Sequence, residues 1–322
     1  MFKGPLRKFL NALLLIVAVL ALNFTLIHIA PGDPVEALVG EMGGATPEQI
    51  ADLRTRFGLD QPLYVQLGTY LGRIAQGDFG HSLYYDQPVT ALIAERIGPT
   101  ILLVTTALFS AIVLGTVLGV FSAQRRRSVL SHLVTVISLA GFSAPVFWVG
   151  IMLILMLSVS VPLLPISGMS SPDSDGTGLF HILDVLHHLV LPALTLALIY
   201  LAFYSRLSRT SMLEVLGSDY IRTARAKGLP RRMVIYKHAL RNAILPVVTF
   251  AGLQFGQVIS GAVLVETVFA WPGLGTLAFE SILRRDTPTL LGILFFSALM
   301  VVVMNLVTDF VYRRVDPRIK AR

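Results

Sequence analysis

The sequence predicts an all-α, polytopic membrane protein with six crossing helices, and three observations carry that prediction. Of 322 residues, 54% are apolar and only 14% charged, whereas a soluble domain is nearer a quarter charged. Stretches of about 20 residues without formal charge recur, the length a helix needs to cross the hydrocarbon core. Between them the basic residues stand in short clusters on alternate connections, as they do on one face of a membrane. That clustering excludes the nucleic-acid partner that a net charge of +7 and a pI near 9.9 would otherwise suggest. There is no cysteine, so disulfides, thiolate metal sites and cysteine nucleophiles are excluded.

The first span is Leu10 to Ile29, preceded by Lys3, Arg7 and Lys8. Its apolar run exceeds the 7–15 residues of a signal core, and Ala30-Pro31-Gly32 is a poor cleavage site. It reads as a retained helix. Thr100 to Ala123 is the second span. From Ser128 to Pro172 there is no Lys, Arg, Asp or Glu, too long for one crossing. A third helix is expected over Ser131–Ser160, kinked at Pro145, which removes a backbone donor and crowds the preceding turn. The remaining spans are Val185–Ser205, Ala243–Val265 and Leu290–Tyr312.

Six crossings put both termini on one side. The tails, Arg125–Arg127 and Arg206–Arg241 hold 20 of the 26 Lys and Arg; Arg54, Arg56, Arg73, Arg96, Arg284 and Arg285 fall on the other side. The positive-inside rule then makes the termini cytoplasmic. The domains expected are 1–30, tail and first helix; 31–99, an extracytoplasmic helical cap; and 100–322, a five-helix core with a cytoplasmic loop at about 206–243. In the cap, Thr46-Pro47-Glu48-Gln49 is a helix start, with Thr as N-cap and Pro in the first turn, leading a helix to about Phe57. A second helix is expected over Pro62–Ala75.

The loop at 206–243 carries nine basic and two acidic residues. At about 2.5–3.5 kcal/mol per charge at mid-bilayer it cannot lie in lipid. Asp219-Tyr220-Ile221-Arg222-Thr223-Ala224-Arg225-Ala226-Lys227 favours a short surface helix, stopped by Gly228 and Pro230. Such a helix suits docking into a groove on another protein, with its small residues toward the groove.

Arg222-Thr223-Ala224, with Gly228 after three further residues, resembles the EAA loop of ABC importer permeases. The form Arg-Thr-Ala-Arg-Ala-Lys-Gly, followed by Arg241-Asn242 and Leu245-Pro246, is similar to the dipeptide/oligopeptide/nickel branch. It departs from the general pattern, which has Glu at the place of Arg222. Ala30-Pro31-Gly32-Asp33-Pro34, Gly58-Leu59-Asp60-Gln61-Pro62-Leu63-Tyr64, Gly77-Asp78-Phe79-Gly80, Trp271-Pro272-Gly273-Leu274-Gly275 and Asp316-Pro317-Arg318 resemble that branch's first permease subunit. The resemblance implies a type I importer permease fold and half of a pathway for di- or oligopeptides. It implies that Asp219, Tyr220, Arg222, Thr223, Ala224, Ala226, Lys227 and Gly228 form the coupling helix that plugs into an ATP-binding subunit. The partners implied are a second, non-identical permease, two ATP-binding subunits and an extracytoplasmic substrate-binding protein, within membrane lipid. Glutathione, nickel and metallophore importers share these motifs. No lysine follows a glycine, so there is no Gly-Lys phosphate loop. Enzymatic activity is not expected of the chain, nor any cofactor on it; ATP and Mg belong to the partners.

Several residues keep two readings. Glu266 and Trp271, at the outer end of the fifth span, are candidates for a pathway or gate; Glu266 is otherwise an interfacial acid. His181, Asp184 and His188 share a helical face and form either a metal site or a polar interfacial turn. Asp309 reads as an anchor, and Asn23 and His28 as helix–helix hydrogen-bonding groups. A proton-coupled carrier would need acids deep in several spans, which five of the six lack. An intramembrane protease would pair Ser with His at mid-depth, whereas His132 lies at the end of the span holding Ser138 and Ser143.

Overall fold

A computed structural model describes residues 3–29, 46–56, 60–82, 84–124, 144–172, 174 and 176–315. Helices dominate, and the chain divides into two compact units. One comprises Met1–Ile97 with Leu277–Val302, the other Gly98–Thr276 with Val303–Arg322. In order, the helices are α1 (Lys3–Ile29), α2 (Pro47–Arg56), α3 (Leu63–Ala75), α4 (Val89–Gln124), α5 (Val146–Ile154), α6 (Gly178–Leu216), α7 (Asp219–Ala226), α8 (Leu240–Ala243), α9 (Leu245–Val268), α10 (Leu274–Leu283) and α11 (Thr287–Val315). Among the described residues Val89–Gln124, Gly178–Leu216 and Thr287–Val307 are long and apolar enough to cross a membrane. α1 and α9, of 27 and 24 residues, occupy the first and fifth predicted spans.

In the first unit α2 starts as the sequence predicts. Gln49 N–H donates to Thr46 Oγ1 at 3.3 Å and Thr46 N–H to Gln49 Oε1 at 2.9 Å, a reciprocal capping box. The expected end of that helix, at 57–58, lies outside the described residues. α3 packs on α1, with the Phe24 and Tyr70 rings 5.9 Å apart. A two-stranded antiparallel ribbon, β1 (His81–Ser82) with β2 (Gln87–Pro88), follows. It is fastened by Ser82 Oγ donating to Asp286 Oδ2 at 2.5 Å, by Tyr85 OH donating to Glu280, and by the Arg284 guanidinium 3.7 Å over the Tyr84 ring. Burial and the bond to Glu280 push the Tyr85 hydroxyl up to about 12, so it stays a donor. A Cβ at Gly292 would stand 2.5 Å from Val89 Cγ1, so only glycine allows this approach.

In the second unit α4 and α6 meet through small residues. A Cβ on Gly115 would lie 2.8 Å from Tyr204 Cβ, and one on Gly119 2.5 Å from the Ser205 carbonyl. Ala111, Gly115, Gly119 and Ala123 recur every fourth residue, the small-residue seam by which membrane helices approach closely. Ser208 Oγ donates to Thr116 Oγ1 at 3.3 Å across it. α5 continues into a π-helical turn, Leu155–Ser160.

Three span expectations are corrected. Pro145 does not kink a helix: at φ −59°, ψ 136° it caps the start of α5, an extended conformation that proline favours. Residues 131–143 lie outside the described residues. α4 begins at Val89, not Thr100, because Val89, Leu92 and Ile93 are all buried and continue a helical stripe through Glu95 and Arg96. α6 runs on past Ser205 to Leu216, since Ser208, Ser211 and Met212 are buried on its inner face.

Candidate functional site

The connection between α6 and α9 is built from local signals. α6 closes with Gly217 N–H on the Glu214 carbonyl and Ser218 N–H on that of Val215. Ser218, extended at φ −72°, ψ 155°, turns the chain into α7. Asp219 stands in the first turn, where unpaired N–H groups favour negative charge, and Arg225 in the last, where carbonyls favour positive charge. Asp219 also pairs with Arg222 one turn on.

The helix ends in a Schellman motif. Leu229 N–H reaches the Ala224 carbonyl at 3.3 Å and Gly228 N–H that of Arg225 at 3.0 Å. Gly228 takes φ +73°, which side chains resist. Pro230 then opens a π-helical segment, Met233–Ala239, that leads through α8 to α9.

Eight residues cannot hold a helix in water by themselves. α7 is held by burying Ile221 and Ala224, three residues apart, in a core formed with Val120, Ala123, Met212, Val234, Ile235, Ala239 and Ala243. Ile221 is 0% exposed. Asn242 Nδ2 donates to Tyr220 OH at 2.7 Å. The outward face carries Asp219, Tyr220, Arg222, Thr223, Arg225, Ala226, Lys227 and Gly228. One expectation changes here: Ala224 faces the chain's own core, because Ile221 and Ala224 form the inner stripe. The outer face is basic rather than uniformly small.

The second candidate, Glu266, is 0% exposed near the end of α9. Its carboxylate accepts Thr100 Oγ1 at 2.7 Å, Gly275 N–H at 2.7 Å and Thr276 N–H at 3.2 Å. It thus caps the first turn of α10. Thr100 Oγ1 accepts Leu274 N–H at 2.8 Å, and buried Trp271 donates Nε1–H to the Pro99 carbonyl at 3.0 Å. A Cβ at Gly275 would lie 2.7 Å from Glu266 Oε2, so the glycines of Trp271-Pro272-Gly273-Leu274-Gly275 make room for the carboxylate. Glu266 and Trp271 are packed into this turn, not set on an open surface.

Of the His181, Asp184 and His188 trio, Asp184 and His181 are engaged by the preceding loop, while His188 Nδ1 stays with Asp184 itself, 3.3 Å from its Oδ1. Ser171 donates N–H and Oγ–H to Asp184 at 2.6 and 2.8 Å, His181 Nδ1 meets Ser174 Oγ, and His188 Nδ1 meets the Asp184 carbonyl. Among the described residues no group of three or more such side chains is placed to hold a metal. These contacts, with His187 Nε2 on the Leu163 carbonyl at 3.0 Å, tie the preceding loop to α6. Asn23 is buried in α1; the side chains of His28 and Asp309 lie outside the described residues.

Long apolar helices, two of them joined by a small-residue seam, with one short basic helix packed between α6 and α9, define a polytopic membrane protein. The chain belongs to the family of binding-protein-dependent transport system inner membrane components, whose pattern its residues 115–321 match. Residues 1–104 match the N-terminal part of such membrane components. It is 42% identical to the dipeptide transport system permease protein DppB of Escherichia coli K12, over 94% of each chain. It is 40% identical to the oligopeptide transport system permease protein AppB of Bacillus subtilis, over 98% of each. Its fold is like that of the MetNI methionine ABC transporter in an inward-facing form. The TM-score is 0.56 at 18% identity, over 70% of this chain and 97% of that one. The fold is therefore that of an ABC importer permease, and the chain is a membrane-embedded transport component.

Proposed function

We propose that this chain is one permease subunit of an ATP-driven importer of di- or oligopeptides, and that α7 is where an ATP-binding subunit pushes on it. The observation that carries the reading is the construction of α7. A short helix displays its polar face outward while its apolar face is locked into the roots of α4, α6 and α8. A partner that seats on that face moves those roots together, which is what driving a membrane pathway from outside requires. The dipeptide and oligopeptide permeases at about 40% identity favour peptides over nickel, metallophores or glutathione as cargo. The clustering of basic residues supports cytoplasmic termini and a cytoplasmic α7. Glu266 and Trp271 serve by holding the turn into α10.

The complete assembly requires a second, non-identical permease, two ATP-binding subunits carrying ATP and Mg, and an extracytoplasmic substrate-binding protein. Proteoliposomes containing all of them should accumulate labelled dipeptide only with ATP, and lose uptake when any component is omitted. Accumulation by this chain alone, driven by a proton or sodium gradient, overturns the reading in favour of a secondary carrier.

A further inference from the structure

We infer that the hydrogen bond from Asn242 to Tyr220 is a transmission pin that fixes the roll of α7 and carries its displacement to the root of α9; the inference rests on the docking role proposed for α7. Burial of Ile221 and Ala224 sets how deep the helix lies. Two anchors three residues apart on an eight-residue helix nevertheless define a line, and the helix can rock about that line. Tyr220 stands about 100° round the helix from Ile221. Its hydroxyl is held at 2.7 Å by Asn242 Nδ2, and so opposes the rocking.

Asn242 belongs to α8, two residues before Ile244, the residue that caps the start of α9. The chain between the two residues passes through the turn at Gly228 and the π-helical segment Met233–Ala239. Irregular helix of that kind is a frequent feature of functional sites. The pin bypasses that segment and joins α7 directly to the base of a long helix. Tyr220 and Asn242 are positioning residues: they fix how α7 presents Arg222, Thr223 and Ala226.

The test uses complete transporter complexes isolated through a tag on the ATP-binding subunit and reconstituted in liposomes, with dipeptide uptake and ATP hydrolysis read from the same preparation. Tyr220→Phe, which deletes only the hydroxyl, and Asn242→Ala should each lower uptake per ATP about fivefold, as expected for one net hydrogen bond. The double variant should fall no further than either alone. Asn242→Asp, whose carboxylate accepts from the Tyr220 hydroxyl, should restore the ratio. A wild-type ratio in both single variants overturns the pin, as do multiplying losses in the double variant or failure of Asn242→Asp to rescue; the docking role of α7 then stands without it. If the wild-type chain does not assemble with the ATP-binding subunit at all, the docking role falls and the pin falls with it.

Discussion

Replacing Glu266 separates a latch from a pathway residue. The carboxylate is wholly buried and accepts bonds from Thr100, Gly275 and Thr276 at 2.7, 2.7 and 3.2 Å. Glu266→Gln keeps the volume but leaves one acceptor oxygen for three donors and turns an NH2 group toward them. A hydrogen bond to a charged group contributes roughly 1.5–3 kcal/mol, and an unpaired buried donor costs about 1–3 kcal/mol. The Gln variant should therefore lose about 2 kcal/mol and Glu266→Ala, with all three donors stranded, about 4 kcal/mol. Of the two tryptophans, Trp148 is half exposed and Trp271 is buried beside the latch. In a Trp148→Phe background, Trp271 emission during thermal unfolding in detergent should show a lower midpoint for Gln and a lower one still for Ala, with uptake falling in proportion to folded protein. A Gln variant that melts like the wild type yet transports nothing refutes the latch and reinstates Glu266 as a pathway group.

At Gly228 nothing lies within 4 Å of an added Cβ, so only the positive φ resists substitution. Gly228→Val should cost about 1–3 kcal/mol locally and lower uptake per ATP, while Gly228→Asn, which tolerates that conformation, is close to wild type. Gly119→Leu should prevent α4 from seating on α6 and abolish the folded state in detergent, whereas Ile101→Leu, at an exposed position of the same helix, leaves the thermal midpoint unchanged. Because the chain has no cysteine, Gln61→Cys should react with an impermeant maleimide in intact spheroplasts and Arg232→Cys only after lysis; reaction of position 232 from outside reverses the orientation.

α7 and its end were legible in the sequence because their determinants are local: an acid in the first turn, a glycine at the left-handed position, a proline after it. The capping box of α2 was legible for the same reason. The Ala111, Gly115, Gly119 and Ala123 repeat was equally present as a signal, and spacing by four small residues would have located the α4–α6 seam. The ends of α4 and α6 were misplaced because the charges at Glu95, Arg96, Arg206 and Arg209 mark the end of an apolar run rather than the end of a helix. The partners of Glu266 were not legible, since Thr100 lies 166 residues away and nothing local pairs them. Tyr220 with Asn242 is similar: Tyr220 stands in the short helix and Asn242 in the motif that follows, 22 residues on, and nothing local pairs them.

In the proposed function, α7 is the contact through which an ATP-binding subunit drives this chain. Thr223 lies on its outward face. Thr223→Cys, labelled with benzophenone maleimide in the assembled complex and irradiated, should cross-link to the ATP-binding subunit and to nothing outside the membrane. Gln61→Cys treated in the same way should not reach that subunit. Cross-linking of the ATP-binding subunit from position 61 and none from position 223 contradicts the account.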